Sequence, residues 1–237
     1  MRQITVILLV SLLLVATVTA ESKLKFGIKA GAVMANMSGD GWDVIEEMDS
    51  VTIEKKSLMG VAGGLFVEFP LGTSGVSLQP ELLYVAKGGK GETTLDDVTF
   101  TRKLKNDYIE VPVLVKYNFT SAGKASPFMF VGPVAAFNIA SKVQDKNPPD
   151  DPSYGDFDIE NAKSLDFGLT IGGGLGLAMG SSGKLTFDLR YTVGLGDAFK
   201  DVAEADFDEN KTYIVDDAGK ALDFKNNDIR LMIGYAF

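Results

Sequence analysis

Glu81, Glu110, Lys116, Asp166, Asp188, Arg190 and Arg230 each stand in a stretch whose alternate positions are bulky and apolar. Carboxylates, ammonium groups and guanidinium groups at that spacing fall on one face of an extended chain. Two kinds of chemistry suit such a face. One is an ion pathway or gate. The other is a paired network that fills an enclosed space, because buried charges need partners. Much else is excluded. The chain has no His and no Cys, so the commonest general acid/base and metal ligand is missing. No disulfide, thiolate site or lipid-bearing Cys is available. No catalytic residue, cofactor or metal ligand set is expected.

A second group of chemically capable residues lies between the apolar stretches. Residues 36–57 include Asp40, Asp43, Glu46, Glu47, Asp49 and Glu54, and residues 143–163 carry Asp145, Asp150, Asp151, Asp156, Asp158 and Glu160. Residues 197–227 are richer still, with Asp201, Asp206, Asp208, Asp216 and Asp223 among them. Carboxylates bind hard cations, but no D-x-[DN]-x-[DN]-G loop occurs. A solvated acidic rim is the plainer reading. Gly172-Gly-Gly174 with Gly176 superficially matches a phosphate loop, yet no strand-to-helix turn follows. The net charge of −9 argues against nucleic acid, whose binding rests on a basic footprint.

The elements that must position these residues are strands. Period 2 runs through residues 23–34, 58–69, 75–87, 107–119, 127–142, 164–179, 184–196 and the C-terminal stretch from Asp228. In 164–179, Leu165, Phe167, Leu169, Ile171, Leu175 and Leu177 oppose Asp166, Gly168, Thr170, Gly172, Gly174 and Gly176. In 184–196, Leu185, Phe187, Leu189 and Tyr191 oppose Lys184, Thr186, Asp188 and Arg190. A tilted strand of about 9–11 residues crosses hydrocarbon, and each of these segments is long enough. Short connections at 70–74, 120–126 and 180–183 alternate with long ones at 36–57, 88–106, 143–163 and 197–227. That alternation is the pattern of an all-β, eight-stranded antiparallel up-and-down transmembrane barrel. An even strand number brings both termini to the short-turn rim.

Residues 1–20 read separately. Arg2, the apolar run Ile4 to Val18 and the small residues Val18 and Ala20 predict a signal peptide cut before Glu21. Residues 21–237 then form the barrel domain. Its Tyr residues at 84, 117, 191 and 235 are expected in interfacial girdles, while Trp42 falls in a loop. The competing arrangement is a soluble, lipocalin-like ligand-binding barrel with its apolar face inward. The opposite face decides against it, being a mix of sparse opposite charges and glycine that suits a narrow lumen. Tyr235 and the terminal Phe237 complete an alternating aromatic ending of the kind that barrel insertion machinery recognises.

Several segments resemble one family. Ser77-Leu-Gln-Pro-Glu-Leu-Leu-Tyr84 with Lys87-Gly-Gly is similar to the third strand of the PorT-like outer membrane protein beta-barrel family. Tyr108 to Tyr117 (YIEVPVLVKY), Pro127 to Pro133 (PFMFVGP), Asp166-Phe-Gly and Arg190-Tyr191 resemble its later strands in order. The resemblance implies a small porin-family barrel in the cell outer membrane. It implies no single activity, although some relatives are linked to protein secretion. Expected partners are outer-membrane lipid and lipopolysaccharide, the insertion machinery and other envelope proteins. A structural or interaction role through the acidic loops leads, and a narrow pore or a secretion accessory is the alternative. A wide sieving channel needs about 16 strands. Barrel enzymes of the outer membrane rely on His, which this chain lacks.

Overall fold

The computed structural model describes residues 24–49, 52–95, 97–119, 123–146, 155–180, 183–203, 206–208, 210–216 and 218–237. The signal-peptide expectation falls outside them. Eight long strands form one ring: β1 (Lys25–Ser38), β2 (Glu54–Pro70), β3 (Val76–Leu95), β4 (Val98–Asn118), β5 (Ala125–Lys146), β7 (Leu165–Met179), β8 (Gly183–Gly194) and β9 (Lys225–Ala236). Each is antiparallel to its neighbours. The β1–β9 ladder, from Gly27↔Ala236 to Ser38↔Lys225, closes the cylinder. A short β6 (Asp156–Asp158) adds to the upper end of β5, and one helix, α1 (Gly41–Asp49), follows β1.

The pleat sorts the side chains. Phe26, Ile28, Leu65, Phe167, Ile171, Leu189, Leu231 and Ile233 are more than half exposed and form an apolar belt around the ring. Their neighbours on the other face are buried. A closed sheet leaves no unpaired backbone for lipid to meet. The lipocalin-like alternative required the reverse orientation, with these residues inward, and is overturned. Aromatic pairs mark the rim that holds the termini. Tyr117 meets Phe119 at 4.9 Å between ring centroids, and Tyr235 meets Phe237 at 5.2 Å.

The expected long loop at 88–106 is not a loop. The β3–β4 ladder continues from Gly88↔Lys105 to Leu95↔Val98, turning at Asp97 with φ 65°. Thr93, Thr94, Thr99 and Thr101 favour strand here. Apolar alternation stops at Ile109 because the outward face of the projecting hairpin carries Lys103, Lys105 and Asp107, while its inward face sets Gly89, Gly91 and Leu104 against Met37 and Trp42. The ladder therefore extends beyond the stretch that apolar alternation marks. β5 likewise runs past its expected end at 142 to Lys146.

Candidate functional site

Every lumen residue singled out from the sequence lies on the inner face and is buried. The charges are arranged in layers. In the middle layer, Glu81 accepts hydrogen bonds from Lys29 Nζ (2.6 Å) and Arg190 Nη1 (2.8 Å). Asp188 accepts from Arg190 Nε at 2.8 Å, and Gln79 adds a further donor to Glu81 at 2.7 Å. Arg190 also stacks over Phe130, 4.9 Å from the ring centroid. In the layer nearer the long loops, Arg230 holds Glu110 through Nη1 and Nη2, and Asp228 through Nε and Nη2. Lys87 completes this layer with a 2.7 Å bond to Glu110. In the layer nearer the short turns, Glu68 accepts from Lys116 Nζ (2.9 Å), Ser77 Oγ (3.1 Å) and Asn118 Nδ2 (3.0 Å).

These partnerships differ from those suggested by strand adjacency. Glu81, Glu110 and Lys116 stand on β3 and β4, but Lys116 pairs with Glu68 and both glutamates reach across the lumen to arginines on β8 and β9. Asp166 stands apart from the ion pairs. Its carboxylate accepts the backbone N–H of Phe167 at 2.7 Å. The glycines of β7 have a packing role. A Cβ on Gly172 would lie 2.6 Å from the Phe130 ring, and one on Gly174 would lie 2.8 Å from Phe128. Their absence of side chains is what admits two phenylalanines to the lumen.

Above the ion pairs the inner face turns apolar. Met37 of β1, Leu104 of β4 and Val143 of β5 are buried there with Trp42, Phe199, Ile214, Leu222 and Phe224. Trp42 sits in α1, edge-on to Phe224 at 5.1 Å, and Phe199 meets Phe224 at 6.0 Å. Asp43 in the first turn suits the helix dipole. It also receives Lys55, which ties the helix to β2. Gly91 on β3 leaves the room for Trp42: a Cβ there would lie 2.8 Å from the indole. Trp42 is therefore neither a loop tip nor a girdle residue. Residues 197–227, expected as a long loop, bring much of this core, from Ala198 to Phe224. Backbone bonds such as Gly41 N to Asp223 O (3.0 Å) and Ala198 N to Phe224 O (2.7 Å) lace it down. The signal that could have found the cap is Met37, Leu104 and Val143 standing at lumen-facing positions.

The outer surface of the cap is charged. A cavity of about 580 Å³ opens on it, with Asp40, Asp197, Asp216 and Asp223 facing Lys163, Lys200 and Lys220 over a floor that includes Phe199. On the β3–β4 hairpin, hydrogen bonds from Lys56 (2.5 Å) and Lys90 (2.7 Å) hold Glu92 below the usual carboxylate range. Among the described residues no group of three or more His, Cys, Asp or Glu side chains is placed to hold a metal ion.

A family model described as "Outer membrane protein beta-barrel domain" matches residues 17–200. No curated protein matches the chain. Among solved structures, Neisserial surface protein A is similar at 11% identity over 90% of this chain and 97% of that one, with a TM-score of 0.44. OprG from Pseudomonas aeruginosa is similar at 9% identity over 91% and 97%, with a TM-score of 0.41. Ail, the attachment invasion locus protein of Yersinia pestis, gives 11% identity over 91% and 99%, with a TM-score of 0.36. The inverted polarity of the ring and the match across most of its length lead to one assignment: this chain belongs to the outer membrane protein beta-barrel family and resides in the outer membrane.

Proposed function

We propose that this protein is a closed barrel that works from its extracellular face, as a structural or adhesion-like module meeting an envelope or surface partner through its acidic loops. The observation that carries the reading is the double closure of the lumen. Salt-bridged layers fill the mid-barrel, and the aromatic core around Trp42 and Phe224 seals the end toward the long loops. An eight-stranded cylinder is just wide enough for side chains to fill. The PorT-like secretion role and the narrow-pore role both need a path or a moving part, and the packed cap opposes a path.

Purified protein folded into a planar bilayer tests this. The reading expects no discrete conductance steps at physiological salt, together with capture of an envelope component by loop-intact barrel. Regular unitary steps from the wild-type chain would refute it in favour of a pore. Lipopolysaccharide held through divalent cations at the acidic rim is one partner chemistry within this reading. Chelating Mg²⁺ should then raise the protease sensitivity of residues 197–227, and an unchanged digestion pattern removes that partner.

A further inference from the structure

The lumen layers are not equally neutral. In the middle layer two cations, Lys29 and Arg190, face two carboxylates, Glu81 and Asp188. In the layer toward the long loops, Lys87 and Arg230 face Glu110 and Asp228, with Asp166 near Lys87 and Glu110. Among the described residues, the layer at the periplasmic mouth has Lys25, Lys116 and Lys184 against one carboxylate, Glu68. Glu68 is already committed, accepting from Lys116, Ser77 and Asn118.

Lys184 and Lys25 point inward. On β8, Lys184 shares its face with Thr186, Asp188 and Arg190, and on β1, Lys25 shares its face with Gly27 and Lys29. The stem of Lys184 crosses Gly176, where an added Cβ would lie 1.8 Å from its Cε. Its ammonium group then stands 6.0 Å from the Phe128 centroid, and that of Lys116 stands 4.4 Å from the same centroid. Two cations thus share one ring face region, and a third, Lys25, lies opposite Glu68 in the β1–β2 ladder. Among the described residues neither Lys25 nor Lys184 has a carboxylate within ion-pair distance. Like charges confined in a half-buried space favour an anion.

The geometry points to a phosphate-class oxyanion site at the periplasmic mouth of the lumen, formed by Lys25, Lys116 and Lys184 over Phe128. A doubly charged oxyanion matches the excess of two cations, and each ammonium group supplies a charge-assisted donor. The site opens to the periplasm, so its ligand is a free phosphate or the phosphate of an inner-leaflet phospholipid headgroup. It is separate from the extracellular face that carries the proposed function.

The test uses the full barrel folded in a nonionic detergent. Inorganic phosphate is titrated against sodium chloride of equal ionic strength, while amide NMR signals of β8 and β4 near Lys184 and Lys116 are followed. A second arm uses dihexanoyl phosphatidylglycerol. Saturable shifts confined to this mouth in either arm support the site, and the arm that saturates identifies the source. K184Q and K25Q should each weaken binding about tenfold, the loss of one charge-assisted contact, while K142Q on the far side leaves it unchanged. Heat-modifiable migration on gels verifies that each variant folds, and K25Q serves if K184Q does not. Shifts that follow ionic strength alone, or that persist undiminished in the folded lysine variants, overturn the site.

Discussion

Arg230 grips Glu110 across the lumen with both terminal nitrogens, at 2.7 and 3.0 Å, although 120 positions separate them in the chain. The same guanidinium holds Asp228 at 2.5 and 2.8 Å. One side chain therefore links β9 to β4, two strands that do not pair with each other.

Breaking that grip leaves a buried charge without its counterpart. E110M strands Arg230 and Lys87 and should destabilise the barrel by about 3–5 kcal/mol, the usual loss when one partner of a buried pair is removed. Urea unfolding in detergent measures it. The companion R230M in the E110M background should recover part of the loss. A double variant as unstable as the sum of the singles would show that the two residues do not act as a pair.

Trp42 is the sole tryptophan and is buried against Phe224, so its fluorescence reports the cap alone. Folded protein should emit at short wavelength and resist acrylamide quenching. F224A should shift the emission to the red and speed proteolysis within residues 195–224, with the cap losing about 3–5 kcal/mol. The eight-stranded ring below should still migrate as a folded barrel.

The lipid-facing belt should punish charge according to depth. Ile233 is opposite Ala30, midway along the belt. Arginine there should cost about 2–4 kcal/mol, whereas Leu195→Arg at the upper rim should cost about 0–1 kcal/mol. Equal costs at the two positions would contradict the membrane orientation described above.

The hairpin beyond the membrane should weaken in acid. Hydrogen bonds from Lys56 and Lys90 keep the Glu92 carboxyl low in the folded state. Its contribution is therefore complete above the unfolded value of about 4.3 and is lost as pH falls through the lower folded value. Amide NMR of residues 88–105 across pH 5 to about 2.5 should show the tip loosening in this window. E92Q should remove that dependence, leaving the tip equally ordered at both ends.

The membrane orientation was legible because it is a local property. Each peptide's pleat sends Phe167 one way and Asp166 the other, whatever the rest of the chain does. Strand number, the short connections at the periplasmic rim and the charged inner face followed from that alternation. Three things did not follow from it. The hairpin at 88–105 carries no apolar period because its outward face is polar and its inward face mixes glycine with Leu104. The cap joins Trp42 of α1 to Phe199 and Phe224, more than 150 residues away, through a surface with no repeat. The cross-lumen partners were hidden for a related reason. Which carboxylate meets Arg190 or Arg230 depends on the stagger at which the ring closes, and that stagger is summed over every ladder in the sheet. Sequence alone thus determined which side of each strand is apolar and which carries the charges. Only closure of the cylinder decided which charges neutralise one another and which, at the periplasmic mouth, are left without a counter-charge.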